Sequence, residues 1–541
     1  MVEWRAKPFP ERMAMSCRTW AMQGYGTPLA IYALYLLKIG FYVGAWWFFC
    51  SLSVDGPIGE WWSSKVAFQK AILWTMTFEV LGLGCGSGPL TGRYVPPIGG
   101  FLYFLRPGTT KLPLYPGIPL LGGQRRTVLD VVLYAGLLAL AFSALVSVEI
   151  ETWQLLPFLL ILPLLGLADK TIFLAARSEH YLSVVFCLVF TDWIAGSKVV
   201  WMAIWWWAAT SKVNHHFPAV MCVMTSNSPV QQIPAIKKLF YRNYPDDLRP
   251  SRLAEVYTHT GTALEYLFPL VLLMSGGGTV TQVTLGVMLV FHLFIMSSVP
   301  MGVPLEWNVI MVYGGFLLFG HHADVGVLSI SAPLLIIWLV SVHLVLPLYG
   351  SVFPNRVSFL LAMRYYAGNW AYSVWLFRGD SSAKLDKLTK WSPAVRDQLA
   401  PFYDKDTITA LLSMIPAFRL MHLHGRCLHE LLPKAVDDID DYEWIDGEII
   451  AGLALGWNFG DGHLHDTQLL SAIQAQCSFE PGELRVVMVE SQPLFGATHS
   501  YQIADAATGE LESGEIAVQS LLDRQPWPEI TDQIAGRPQS L

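Results

Sequence analysis

The stretch "IWWWAATSKVNHHF", Ile204–Phe217, closes a strongly apolar run with a lysine, an asparagine and paired histidines. A plain membrane anchor ends on basic side chains that snorkel to the headgroups and then stops. Three tryptophans, an amine and two imidazoles at one helix end ask for more than anchoring. A lysine desolvated among aromatic rings loses preference for its ammonium form, and a neutral amine is a base usable near neutral pH. On that reasoning Lys212 is expected to be at least partly neutral and to face an internal cavity, with Trp207, His215 and His216 at the rim. The alternative is an anchor with its ammonium in the headgroup layer.

The rest of the chain supports a membrane setting. It has 541 residues, of which 53% are hydrophobic and 14% charged, where a soluble chain carries about 25% charged residues. The 21 tryptophans suit rings lying at the headgroup level. Apolar runs long enough to cross the bilayer fall near 28–52, 66–84, 127–148, 154–175, 256–275, 280–299, 305–322 and 331–350. Residues 179–212 are too long for one span and break at "DWIAGSK", Asp192–Lys198, so two short helices are expected there. The sum predicts an α-helical polytopic membrane protein with about ten transmembrane helices. A cytoplasmic segment 1–27 precedes the transmembrane domain 28–353, and a small cytoplasmic α+β domain, 354–541, follows it.

Charge orients the bundle. Arg5, Lys7, Arg12 and Arg18 share one side with Arg93, Arg106, Lys111, Arg125 and Arg126, and with Lys237, Lys238, Arg242, Arg249 and Arg252. The opposite loops keep little beyond Lys65 and Lys198. This asymmetry predicts that both termini are cytoplasmic. The first twenty residues lack an apolar core and make no cleavable signal peptide. The stretch "GCGSGPLTGRYVPPIGGFLYFLRPGTTKLPLYPGIPLLGG" is too rich in Gly and Pro for a regular helix. It is expected to lie along the membrane surface or to dip into the bundle, where protein can bury irregular backbone.

Beyond residue 355 the segment "DSSAKL…HELL" reads as amphipathic helix and "DDIDDYEWIDGE" as an acidic loop. "ELRVVMVESQPLFG" and "THSYQIADAATGELESGEIAV" alternate as antiparallel strands about a turn at "DAATGE". The net charge of -7 arises mainly at this end, and no basic array or zinc-finger spacing speaks for nucleic acid. Seven scattered cysteines without a CxxC exclude a disulfide framework and a thiolate zinc site.

Ionisable residues within spans carry the functional reading: Glu79, Asp169, Lys170, Glu179, His180, Lys212, Glu265 and His292. A charge at mid-bilayer costs about 2.5–3.5 kcal/mol even on the lenient insertion scale, so such groups face the bundle interior and pair. Glu79 and Glu265 read equally as hydrogen-bonding across helices, and Lys170 as neutralising Asp169. His180 and Tyr181 open one short span and Lys212 closes the next. An antiparallel pair then sets His180 on the wall opposite Lys212.

"SEHYLSVVFCLVF", "WWAATSKVNHHF" and "VFHLFIMSSVPMGVPLEWNVIM" resemble, in this order, three signatures of the vitamin K-dependent γ-carboxylase-like superfamily, the horizontally transferred transmembrane domain, over roughly residues 30–350. The resemblance implies a lysine base acting on a quinol, with a histidine supporting the oxygenated intermediate. Lys212 takes the place of the lysine, His180 of the first histidine and His292 of the second. Glu179, Tyr181, Trp207, His215, His216 and Glu265 would line the substrate. Glu179 stands where the family has asparagine, and Thr210 where it has glycine. The implied substrate or cofactor is menaquinone or another isoprenoid quinone. The C-terminal domain does not resemble the carboxylase's peptide-binding domain, so glutamate carboxylation is not implied. A narrower resemblance is to an actinobacterial family of transmembrane proteins of unknown function, which implies a bacterial plasma membrane.

Histidines of the soluble part are weighed separately. "HLHGRCLHE" and "GDGHLHD" supply His422, His424, His463 and His465, which are metal ligands by type. Neither cluster has an HExxH or facial-triad spacing, and no metal is expected. Three functions stay open: a membrane enzyme acting on a lipid or isoprenoid quinone, a non-enzymatic lipid-binding or lipid-transfer protein, and a proton-coupled transporter. Membrane lipids and a hydrophobic substrate are the partners common to the first two.

Overall fold

The computed structural model describes residues 7–24, 29–84, 98–228, 233–298, 305–365 and 368–527. Twelve helices of eight residues or more build the first two thirds of the described chain. They are α1 (Phe9–Gln23), α2 (Leu29–Ser51), α3 (Lys65–Val80), α4 (Val128–Val146), α5 (Thr152–Ala168) and α6 (Tyr181–Leu188), then α7 (Trp193–Thr210), α8 (Phe217–Asn227), α9 (Arg252–Ser275), α10 (Gly278–Ser298), α11 (Leu305–Gly315) and α12 (Pro333–Val352). Among the described residues four helical stretches are long and apolar enough to cross a membrane: Ala33–Ser51, Val128–Val146, Gly278–Ser297 and Pro333–Val352. Their outer faces leave Leu36, Leu37, Val132, Val283 and Ile337 exposed. So much contiguous apolar surface suits lipid rather than water.

The other expected spans are realised differently. The run at 66–84 is α3, capped by Ser64, whose side chain accepts from the Ala67 amide. Every residue from Ala67 to Val80 is buried, and α3 packs against α2, α4, α6 and α11. It is the centre of the bundle, which is why it tolerates Gln69, Lys70 and Glu79: Lys70 donates to the Phe49 carbonyl at 2.6 Å and Gln69 to that of Ile150 at 3.2 Å. The break in 179–212 falls at Val189–Asp192, ahead of the expected position, and α7 starts at Trp193. Asp192 marks it because its carboxylate accepts from the Ser331 amide at 2.7 Å.

Residues 170–188 form one segment in two pieces. A helix Lys170–Ala175 precedes α6, and both lie along α5; a Cβ on Gly166 would fall 2.8 Å from Phe173. The eight residues of α6 rise only about 12 Å, well short of a hydrocarbon core of about 30 Å. The interruption at Ala176–His180 therefore lies inside the bundle. Arg177 sits there with φ of 49°, in the left-handed region that non-glycine residues rarely adopt. Irregular backbone at such depth survives only where protein surrounds it, and residues Ala175–Val185 are all buried. Elsewhere the chain breaks in ordinary ways: Gly276 ends α9 at φ of 59°, the left-handed cap for which glycine is the cheapest residue.

Of the Gly/Pro-rich stretch, residues 85–97 lie outside the described residues. From 98 to 127 it is an adaptor between the bundle and the C-terminal domain. Tyr103 donates to the Leu453 carbonyl at 3.0 Å, and Arg106 to that of Lys390 at 2.9 Å. Buried ion pairs fix it, Lys111 with Asp130 at 2.8 Å and Arg126 with Asp169 at 2.6 Å. Asp169 is thus neutralised by Arg126, not by Lys170, which reaches the His463 carbonyl instead. Gly456, at φ of 89°, permits this docking, since a Cβ there would lie 2.3 Å from the Tyr103 ring.

After a small hairpin of β1 (Tyr241–Asn243) and β2 (Asp247–Pro250), the C-terminal domain holds an antiparallel sheet in the order β4-β3-β5-β6-β7. Its strands are β3 (Tyr372–Arg378), β4 (Tyr442–Asp446), β5 (Leu484–Val489), β6 (Thr498–Asp505) and β7 (Gly509–Ala517). The last three match the alternation read in the sequence, with the turn at Asp505–Gly509. β4 corrects the reading of "YEWID" as loop: Val374–Arg378 on β3 pair with Asp446–Tyr442 across it. Helices α13 (Lys405–Met421), α14 (Leu428–Ala435), α15 (Gly447–Leu455) and α16 (Thr467–Cys477) complete this domain. The N-terminal α1 packs on α13, with Trp20 against Phe418 at 5.5 Å and Phe9 against Trp444 at 6.0 Å. Both ends of the described chain therefore lie on one side of the bundle.

Candidate functional site

Lys212 follows the last turn of α7 and is buried, but it does not stand alone. Its Nζ lies 2.7 and 2.5 Å from the two carboxylate oxygens of Glu265 on α9, itself buried. The geometry is that of an ion pair between α7 and α9, not of an amine left facing a cavity as the sequence suggested. Asn214, two residues on, ties the same corner to the C-terminal domain by donating to the Pro493 carbonyl and accepting from the Phe495 amide.

His292, on α10, is held from both sides. Trp205 Nε1 donates to its Nε2 at 3.1 Å, and its Nδ1 lies 2.8 Å from Asn308 Oδ1. With Nε2 accepting, Nδ1 must carry the proton, and the ring has no capacity left. Residues 299–304 of the third motif lie outside the described residues. His180 lies elsewhere. Its ring stacks on Tyr181 with centroids 4.5 Å apart and meets Trp201 edge-on at 4.7 Å. Trp201 precedes Lys212 by eleven residues, or about 16 Å of helical rise. His180 and Lys212 are thus at different depths and do not face one another across one pocket.

Around His180 the structure assembles a buried polar cluster at the helix interruption. Arg177 Nε donates to Glu179 Oε1 at 2.6 Å, and the Tyr365 hydroxyl donates to the same oxygen at 2.8 Å. The Arg177 guanidinium lies 3.1 Å from the centroid of the Trp307 ring, whose Nε1 donates to Glu79. Glu306 follows, within 3.2 Å of Lys38. Several atoms in this cluster are buried without a hydrogen-bond partner: Arg177 Nη1, Glu179 Oε2, His180 Nε2 and Tyr181 Oη. Buried polar atoms are nearly always satisfied, so orphans gathered in one place mark a site. Glu79, Glu179, His180 and Tyr181 were singled out by sequence. Arg177, Glu306 and Tyr365 were not, although Arg177 stands two residues before the motif glutamate.

On the lipid-facing side a groove of about 610 Å³ opens between α7, α9 and α12. Its lining includes Val199, Ala203, Trp206, Trp207, Leu270, Leu339 and Leu344. No charged residue lines it, and its one imidazole is His343. Trp207 Nε1 donates to the His343 backbone carbonyl at 2.8 Å. The His343 ring lies against the Glu179 carbonyl, but neither ring nitrogen makes a well-formed hydrogen bond. His343 sits in a π-helical turn, Ser341–Val345, a widening frequent at functional positions. Trp207 is the one residue from the sequence reading that lines the groove; Lys212 does not.

The soluble histidines His422, His424 and His465 are buried, and His463 is half-buried. His422 lies beside His424, whose ring stacks on His499 with centroids 5.6 Å apart. Burial pulls His422 down to about 4 and His465 to about 3. His463 differs: burial again pulls it down, but Glu490, Asp461 and Asp466 outweigh this and hold it at about 9. Its partner is Glu490, at 2.9 Å. Among the described residues no group of three or more His, Cys, Asp or Glu is arranged to hold a metal ion. His216 is buried in the electrostatic neighbourhood of His424, and His215 is exposed.

Helices with exposed apolar faces, packed around a core that holds buried ion pairs, define a polytopic helical membrane protein. The chain belongs to DUF3556, a family of transmembrane proteins of unknown function whose model matches residues 1–538. This bears out the narrower resemblance as far as a transmembrane family of unknown function. No curated protein and no solved structure matches the chain.

Proposed function

We propose that this protein binds a long apolar molecule, a membrane lipid or an isoprenoid quinone, laterally from the bilayer. One observation carries the reading: a groove of pocket size, open where the helices face lipid and reaching the buried residue His343. Its volume lies within the usual 300–1,000 Å³ of small-molecule sites. About ten crossings are proposed, made by α2–α5, the two-piece segment 170–188, α7 and α9–α12. The resemblance to an actinobacterial family supports a plasma membrane, the charge asymmetry supports cytoplasmic termini, and the packing of α1 on the C-terminal domain supports their sharing a side. The test is native mass spectrometry of protein taken up with its lipids. Ala203→Phe, which fills the groove, should remove a bound lipid that the parent retains. Equal lipid loads would end the proposal.

The carboxylase-like order of motifs adds a second reading, in which a lipid or quinone is transformed at the Lys212–Glu265 pair, apart from the groove, with Lys212 as the base. Its support is that Lys212 is buried in the same corner as His292. Lys212→Arg keeps a cation for Glu265 but removes a titratable amine. Full retention of any lipid-modifying activity in that variant would refute the base.

A further inference from the structure

His343 is the eleventh residue of the twenty-residue span Pro333–Val352. At 1.5 Å per residue it lies about 15 Å from either end, the midplane of a core about 30 Å thick. The His343 end of the groove is therefore not at the interface, where phospholipid headgroups reside; the opposite end, at Val327, Leu328 and Ile330 just before the span, reaches its border. The His343 end is at the depth where an ionised group is most costly.

The chemistry at that end is neutral and able both to donate and to accept. An imidazole presents one nitrogen of each kind. His343 is 3% exposed, its ring lies against the Glu179 carbonyl with no well-formed hydrogen bond at either nitrogen, and it is within electrostatic reach of His180, whose Nε2 has no hydrogen-bond partner. Nothing in the groove answers an anion: no lysine, arginine or charged side chain lines it. The Trp207 indole is already committed to the His343 backbone carbonyl. A phosphate drawn to His343 would be desolvated with no cation of the groove to receive it, whereas a hydroxyl or carbonyl would lose little.

We infer that the groove selects a neutral lipid carrying a hydroxyl or carbonyl on a long apolar chain, and rejects phospholipids and other phosphorylated lipids, with His343 as the headgroup partner. The inference rests on the groove being a lipid site at all, as proposed above. It adds which lipid class enters and which residue reads it.

The test uses the full chain in nanodiscs and a matched pair of probes, geranylgeraniol and geranylgeranyl phosphate. A third probe of similar length, the hydrocarbon phytane, has no headgroup. The alcohol is expected to bind at least tenfold more tightly than the phosphate. His343→Leu, which keeps the apolar volume and leaves the backbone carbonyl to Trp207, should weaken the alcohol about tenfold, the scale of one buried hydrogen bond. It should leave the hydrocarbon unchanged, and that result would show that the variant is folded with its groove intact. Equal binding of alcohol and phosphate, or no effect of His343→Leu on the alcohol while phytane still binds, overturns the headgroup inference and leaves the groove reading standing. Failure of all three probes to bind, with Ala203→Phe indistinguishable from the parent, overturns the groove reading itself and the inference with it.

Discussion

Removing Glu265 should hurt more than removing both members of its pair. Lys212 and Glu265 are 7% and 3% exposed, and the amine contacts both carboxylate oxygens at 2.7 and 2.5 Å. A buried pair gains little over apolar residues of the same size, but stripping one partner strands a charge and costs about 3–5 kcal/mol. Glu265→Leu and Lys212→Met are each expected to destabilise by about 3–5 kcal/mol. The double variant should lie within about 1 kcal/mol of the parent or above it, giving a coupling of about 5 kcal/mol or more. Equilibrium unfolding in mixed micelles supplies the four free energies of the cycle. A lysine snorkelling to headgroups predicts a different cycle, with Lys212→Met costing less than about 1 kcal/mol and the two changes additive. Additivity would refute the pair as the reason Lys212 stands where it does.

The C-terminal domain should lose stability toward alkaline pH through one residue. His463 is raised from 6.5 to about 9, and Glu490 is lowered from 4.5 to about 2 chiefly by His463, against its own burial. A raised histidine stabilises fully below 6.5 and loses that contribution as pH rises through 9; a depressed glutamate stabilises above 4.5 and loses it as pH falls through 2. Both contribute fully between about 4.5 and 6.5, and thermal melts of His463→Gln should lack the decline between 6.5 and 9 that the parent shows. Gly456→Ala, which forces a Cβ into the Tyr103 ring, should loosen the C-terminal domain from the bundle and speed proteolysis at the adaptor; unchanged cleavage would show that the docking tolerates it. Elemental analysis of purified protein should find no stoichiometric zinc or iron, and metal lost on His424→Ala would contradict this.

The membrane class was legible because lipid exposure writes long apolar runs, and α4, α10 and α12 fall within two or three residues of where those runs lie. Strands β5 to β7 were legible because exposure alternates along part of each strand and the sequence alternates with it. β3 was not: "YSVWLFR" is buried on both faces except at its last residue, so it shows no alternation and cannot be told from a helix fragment by period. β4 was hidden by its acidic flank. Apart from the half-buried Lys170, the ionisable residues singled out within spans are buried, as the cost of charge in lipid requires, but their partners were not predictable. Glu265 is 53 residues from Lys212, and no local pattern encodes a contact between helices so far apart. Arg177 was passed over because it reads as a basic loop residue beside a span. His343 was passed over because a lone histidine in "IIWLVSVHLVLP" has no motif, and a π turn has no sequence signature.

The most direct measurement is an experimental density map of the full chain in nanodiscs made with native lipid. An elongated density lying between α7 and α12, with its polar end within hydrogen-bond reach of His343, is the predicted result. A groove closed by its own side chains, with ligand density beside Lys212 instead, would contradict the account.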